Sequence, residues 1–424
     1  MNLKFTIQAG RVFVGTNEKT TVDDVSISIS DGKIHRIEKK STENQTKPSM
    51  DASDYIVLPG LIDLHVHLTL DGDGKQATIS SNLFQTKEFQ TLKAAKHAST
   101  TAAAGFTTVR DLGASGAQVI ALRDAIESGM FSGPRIFAAG IPLSETGGHA
   151  DNYVWPGRIC DGADDVRKAV REQIRMGADC IKICASAGGG GGSMRENPNH
   201  SEFSVSEISV AVEEAHAKYK KVAAHAHSTA GMINAALSGV DTIEHGLFMT
   251  NESATILKKQ NCTLVPTMSA PIMVLKAGVS GGAAEWHVKR VEKYLDMHAN
   301  SVSLAKKTGI PIAFGTDVGT TSNFHGTNAK EFGFLVEKGG LSAGEALLAA
   351  TGNAAKALGM EQYFGSIETG KFADFTIVKH DPLDDIKTLE DPSNIVAVMK
   401  EGKLLKCIDS SLRSDETEVE HESI

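Results

Sequence analysis

The chain has 424 residues, a net charge of −9, 41% apolar residues, 41 glycines and only 5% aromatics. That length exceeds one ordinary compact domain, and the acidic balance argues against a nucleic-acid partner. No apolar run approaches the roughly 20 residues of a membrane span, and five cysteines without a Cys-x-x-Cys pair suit a reduced compartment.

The N-terminus alternates as a strand and lacks the apolar core and cleavage site of a signal peptide, so the expected location is cytoplasmic. Residues 1–57 read as short strands: Lys4–Ile7, Val22–Ser30, an Asp31-Gly32 turn, and Lys33–Ile37. Lys40–Lys47 is a polar loop. The apolar run from Leu58 ends in His65-Val66-His67. On a strand, residues two apart share a face, so His65 and His67 project together and can share a metal ion. A pair of hydrogen-bonded core histidines is the plainer alternative.

Thr69–Ser81 reads as a loop over the site, and Thr86–Ala104 as a helix closed by Gly105. Phe106–Arg110 is a strand ending in Asp111, Gln118–Ser128 a helix, and Arg135–Gly140 a strand opening into Ser144–Asp151. Asp164–Met176 is a helix and Asp179–Ala185 a strand, followed by Gly188–Gly192. Ser204-Val205-Ser206-Glu207 is a capping box that starts a helix. Val222–His225, Thr242–His245 and Thr263–Thr267 are strands, separated by helices at Ala230–Ser238 and Glu252–Gln260. Met268–Ala284 reads as a long loop and Glu285–Thr308 as a helix. Ile310–Thr316 is a strand ending in Asp317, and helices follow at Asn328–Lys338 and Ala343–Ala350.

This alternation, repeated about eight times over residues 58–358, predicts parallel strands in a (β/α)8 TIM-like barrel with its site at the strands' C-terminal ends. An open doubly wound sheet is the rival, but it would not bring strands one, four, five, six and eight to one point. From residue 359 the pattern returns to strands, with a hairpin at Ile395–Cys407. Residues 1–57 and 359–409 are expected to form one small β-sandwich domain, and 410–424 an acidic tail.

Lys182 lies in Cys180-Ile181-Lys182-Ile183-Cys184 and, by the period of two, points into the barrel. A buried lysine is costly unless its charge is neutralised or its chemistry changed. Carboxylation by carbon dioxide would make it a carbamate able to bridge two metal ions. The alternative is a lysine reaching solvent or a carboxylate. His225 and His227 repeat the His-x-His spacing; His225 is nearer the strand and the better ligand, His227 the better substrate contact. His245 and Asp317 end two further strands. Gly188–Gly192, with Gly191 near its centre, either offers backbone N–H groups to an anion or is a flexible loop. Arg195 and His227 are candidates for binding a substrate carboxylate. His287 and His298 read as exposed helix residues, His97 and His216 as distant from strand ends, and His325 as either site support or helix-entry packing.

Pro59–His67, Gly105–Asp111, Ile181-Lys182, His225-Ala226-His227, Ile243–Gly246, Gly315-Thr316-Asp317 and Gly365–Asp374 together resemble the metal-dependent amidohydrolase superfamily. With Gly147-Gly148-His149, the Lys182 strand and His225-Ala226-His227 resemble its prolidase-like and Xaa-Arg/Lys carboxypeptidase-like branch, ochratoxin-hydrolysing amidases included. Relatives usually have fewer glycines after the lysine strand, so Gly188–Gly192 departs from the pattern. The resemblance implies two divalent metal ions, zinc by ligand chemistry. His65, His67 and Asp317 would hold one and His225 and His245 the other, with carboxylated Lys182 and a hydroxide bridging. Asp317 would shuttle the proton and His149 would stabilise the carbonyl oxygen. The implied substrate is a small molecule with a free carboxylate, a dipeptide or N-acyl amino acid, and the implied assembly a homo-oligomer. The alternatives are a cyclic amide or imidazolone hydrolase and a non-catalytic assembly protein on the same barrel.

Overall fold

The computed structural model describes residues 5–40, 48–153, 155–189, 194 and 196–412. The chain opens with β1 (Phe5–Phe13), β2 (Thr21–Ser30) and β3 (Lys33–Lys39). In β2, Val25, Ile27 and Ile29 are buried and alternate with half-buried serines, the period of a strand with one face on a core. Asp31 and Gly32 both take positive φ, 52° and 72°, as a two-residue hairpin turn requires. β4 (Met50–Pro59) runs parallel to β1. The C-terminal strands β14 (Phe375–Val378), β15 (Ile395–Lys400) and β16 (Lys403–Cys407) join the same sheet, β14 pairing with β4. The two ends of the chain thus form one seven-stranded sheet of order β16-β15-β14-β4-β1-β2-β3.

At Gly60 the chain passes directly from β4 into the α/β core. Any side chain on residue 60 would collide with that of Thr107. The core strands are β5 (Leu61–Val66), β6 (Phe106–Asp111), β7 (Arg135–Ala138), β8 (Leu143–Ser144), β9 (Arg158–Ile159), β10 (Cys180–Cys184), β11 (Lys221–Ala226), β12 (Thr242–His245) and β13 (Thr263–Val265). They form two parallel sheets, β5-β6-β7 and β13-β12-β11-β10-β8-β9. β5, β6, β10 and β12 are buried at every residue, which is why they read as near-continuous apolar runs. Backbone hydrogen bonds link the two sheets at both edges. On one side Asp179 N donates to Ala138 O. On the other, residues 310–318 lie between β5 and β13: Leu64 N donates to Phe314 O and Ala313 N to Leu264 O. This segment makes isolated bridges rather than the continuous strand expected at Ile310–Thr316. Pro311 has no N–H to give to a ladder.

The helices are α1 (Lys75–Phe84), α2 (Lys87–Ala103), α3 (Gln118–Glu127), α4 (Gly162–Met176), α5 (Val205–His216), α6 (Thr229–Leu237), α7 (Asn251–Lys259), α8 (Ser269–Ala277), α9 (Glu285–Thr308), α10 (Lys330–Glu337), α11 (Ala343–Ala349) and α12 (Gly352–Leu358). The Ser204–Glu207 capping box forms as read. Two stretches expected as loops are partly helical: α1 begins inside 69–81, and α8 occupies the middle of 268–284. α8 has no side-chain cap of its own; Glu331 of α10 receives its first N–H groups instead. Among the described residues no helix is long and apolar enough to cross a membrane.

Candidate functional site

The C-terminal ends of the parallel strands bring the predicted residues together. His65 ends β5 with His67 just beyond it, Lys182 is the middle residue of β10, His225 lies in β11, and His245 ends β12. Asp317 reaches them from the 310–318 segment: its carboxylate Oδ1 lies 3.2 Å from His67 Nε2 and 3.5 Å from His65 Nε2. Ligand-type atoms of His65, His245 and Asp317 lie within 4.8 Å of one another, as do those of His225, His227 and His245. His227 therefore joins the cluster as closely as His225, and His245 is shared by both groups. Gly191 and Arg195 lie outside the described residues.

His65, His67 and His245 are each oriented by a bond at Nδ1 that leaves Nε2 for the centre, whereas His225 turns its Nε2 towards Ala187 O at 3.4 Å. His65 Nδ1 donates to Glu244 Oε2 at 2.9 Å, His67 Nδ1 to Gly113 O at 3.1 Å, and His245 Nδ1 meets Thr267 Oγ1 at 2.7 Å. Glu244 in turn accepts from Arg110 Nη2 at 2.8 Å and Thr242 Oγ1 at 2.5 Å, and Arg110 Nε donates to Leu64 O. Glu244, Arg110 and Thr267 went unread in the sequence, although an acid inside the buried run Thr242-Ile243-Glu244-His245 is itself anomalous. His245, Thr267 and Asp317 hold positive φ of 72°, 50° and 59°, the left-handed strain that gathers at functional sites.

Burial governs the protonation states. It lowers Lys182 from its ordinary value, against the pull of Glu244 and Asp317, and Lys182 Nζ has no hydrogen-bond partner. Burial first, and the lysine's positive charge second, bring His65 down to about 4. Burial also lowers His225 and His245, so the imidazoles are neutral, their metal-binding form. For Glu244 and Asp317 burial acts upward but is outweighed by neighbouring basic groups and by the bonds the histidines give. Arg110 and His65 take Glu244 to about 2, and His65, His67 and Lys182 hold Asp317 below the usual carboxylate value. An orphaned buried amine, neutral imidazoles aimed inward and an ionised carboxylate together fit a divalent cation that takes nitrogen and oxygen ligands.

His149 stacks on His225 with centroids 4.2 Å apart. Its backbone N donates to Glu202 Oε1 at 2.6 Å and its Nδ1 to Glu196 Oε1 at 2.7 Å. Burial lowers this histidine, but Glu196 and Glu202 outweigh burial and raise it overall. Gly189 lies flat on His227, where a Cβ would come within 2.8 Å of the ring. His227 N donates to Ser186 Oγ, while its buried Nδ1 has no partner. Trp155 packs edge-on to His67 at 5.1 Å. The cavity before the cluster measures about 190 Å³, with histidines on one side and α8 and α9 on the other.

Three outlying histidines differ from their reading. His287 is half-buried and lines the cavity rather than standing exposed. His298 is buried, not exposed, because its Nε2 donates to His245 O at 2.9 Å. His97 is not remote from the strand ends: it bonds Leu68 O at 2.8 Å and stacks at 4.4 Å on His325, which bonds His67 O and Leu70 O.

The amidohydrolase family profile matches residues 56–405. Ochratoxinase of Aspergillus niger is 33% identical over 374 residues, covering 83% of this chain and 76% of that protein. Its crystal structure superposes with a TM-score of 0.83 at 30% identity, covering 97% of this chain and 98% of that one. The structure of a Xaa-Pro dipeptidase with methionine in its active site is 37% identical, with a TM-score of 0.85, over 95% of this chain and 99% of that one. A prolidase complexed with N-methylphosphonate-L-proline is 28% identical, with a TM-score of 0.86, over 95% and 100%.

Proposed function

The chain belongs to the amidohydrolase family, a group of hydrolases with a TIM-barrel-like α/β fold, and from that premise we propose that it cleaves an amide bond beside a free carboxylate, in a dipeptide or an N-acyl amino acid. Ochratoxin-like amides fall within that class, as the likeness to ochratoxinase suggests. The two parallel sheets are read as one closed eight-stranded barrel over residues 58–358, with residues 1–57 and 359–409 as a companion β-domain built on the seven-stranded sheet rather than the two-sheet sandwich expected. The observation that carries the proposal is the buried, unpartnered Nζ of Lys182 beside four histidines and Asp317.

His65, His67 and Asp317 would hold one divalent ion and His225 and His245 a second, zinc being the best match to this donor set. Lys182 would lie between them as a carbamate, its neutral amine adding to carbon dioxide with release of one proton. Burial favours this chemistry, because the amine must be unprotonated to react. Such ions, when bound, lower the pKa of a water and polarise the scissile carbonyl. Asp317 accepts the proton of the attacking water and returns it to the leaving nitrogen. His149, held protonated by Glu196, donates from Nε2 to the carbonyl oxygen as its charge grows. His227, with Gly191 and Arg195, takes the substrate carboxylate.

Metal analysis and hydrolysis assays test this reading. About two ions per chain are expected; one would favour the opening of a cyclic amide. Asp317→Asn should lower kcat roughly 10²–10⁴-fold, the range of a general acid–base group. Lys182→Ala should lose metal and activity together. Either variant with full activity refutes the mechanism.

A further inference from the structure

We propose that the side of the cavity formed by α8 and α9 is an apolar specificity subsite, so that one group flanking the scissile bond is a large uncharged side chain or ring and arginine and lysine compounds are rejected. This inference rests on the amide-hydrolase reading and narrows its substrate. The wall is built from Leu247 after β12, Ala270, Pro271 and Val274 of α8, and Val291 and Leu295 of α9. Val274 and Val291 pack with Ala283 into one buried cluster, so the two helices present a fixed surface. Tyr294 extends it, its ring set edge-on against Phe248 at 5.0 Å. α9 also brings His287, Tyr294 and His298 to the cavity, and none of them is a carboxylate.

The cavity is therefore divided. Most of the imidazoles and Asp317 line the reacting side, and mainly apolar side chains line the other. A guanidinium or ammonium entering the carbon side leaves water and needs a carboxylate in exchange. Among the described residues, the one carboxylate lining this cavity is Asp317, already engaged by His65 and His67. Apolar groups gain instead, by roughly fourfold in affinity for each methylene buried.

The test compares kcat/KM of the metal-loaded protein on N-acetyl-glycine, -alanine, -leucine, -phenylalanine, -arginine and -lysine, and on N-benzoyl-alanine. Leucine and phenylalanine compounds, or the benzoyl compound, should exceed N-acetyl-alanine by roughly 30-fold or more. The arginine and lysine compounds should fall below it. A rise that follows the amino acid seats the leaving group on the wall, and one that follows the acyl group seats the acyl; both support the subsite. A flat series, or arginine and lysine matching phenylalanine, overturns it. Hydrolysis of no member overturns the amide reading alone, and calorimetric titration with L-phenylalanine, L-lysine, benzoate and acetate then decides the subsite. Tighter phenylalanine and benzoate binding with a negative heat-capacity change supports it, and equal lysine binding overturns it. Leu295→Glu should shift the lysine-to-leucine ratio of kcat/KM upward by roughly tenfold or more, through the charge it adds.

Discussion

Glu331 is a buried acid that holds the start of α8, and its replacement by glutamine gives a pH-dependent result whose sign is fixed in advance. Its carboxylate accepts from Met268 N at 2.9 Å, Ser269 N at 2.6 Å and Ser269 Oγ at 2.6 Å. Burial raises it from 4.5 to about 8, against these bonds and with some help from Asp63. Between those two values the folded protein keeps a proton that the unfolded chain releases. Stability is therefore lost as pH rises through the window, by about 1.4 kcal/mol per pH unit. Across the whole window the loss approaches about 5 kcal/mol. Glu331→Gln keeps the shape but does not titrate; its weaker acceptance costs about 1–2 kcal/mol at every pH alike. Urea unfolding of both proteins at pH 5, 6, 7 and 8 measures the difference. Wild type should lead the variant slightly at pH 5, fall level with it near pH 6 and trail it by about 2–3 kcal/mol at pH 8. A difference that does not change with pH would mean that Glu331 is already ionised at pH 5, and the burial argument would fail. The site depends on this group through the chain: Met268 follows Thr267, which anchors His245, and α8 carries half of the apolar wall.

Glu244→Gln removes the charge facing the buried Arg110 and weakens the bond that orients His65. It should cost about 3–5 kcal/mol in chemical denaturation, since a buried guanidinium is left without its anion. In metal titrations it should loosen binding roughly 10–100-fold. Gly60→Ala drives a Cβ into the Thr107 side chain and should destabilise by about 1–3 kcal/mol, with Thr107→Ala restoring part of the loss in a double variant. No recovery in that pair would place the strain elsewhere in the turn from β4 to β5.

The sequence displayed most plainly those features that depend on local period. His65 on β5 and His67 just past its end fall two apart, and Lys182 sits mid-run in β10, so alternation alone put them on inward faces. What it concealed are bonds made over long separations. α8 was read as a loop because its cap lies on α10, 62 residues away. His298 was read as exposed because α9 is polar along much of its length, yet a carbonyl 53 residues earlier draws its ring inside. The expected eighth strand meets its neighbours through isolated bridges, Leu264 with Ile312 and Val66 with Val318, pairings over separations that no local pattern displays.

The pairing of Arg110 with Glu244 shows why the orienting groups were harder to read than the ligands. Ligand residues are conspicuous singly, since a histidine or lysine closing an apolar run has few inert uses. Arg110 and Glu244 are each anomalous on a buried strand, but neither strand pairs with the other: β6 bonds to β5 and β7, and β12 to β11 and β13. Their 2.8 Å ion pair therefore crosses the interior between the two parallel sheets. An open doubly wound sheet would hold β6 and β12 apart in one layer and leave two unpaired charges buried, each costing several kcal/mol. Two opposite charges, one on each of two non-adjacent buried strands, thus favour a closed interior over an open sheet. The same pair, by fixing Glu244, fixes the imidazole of His65 near the end of β5.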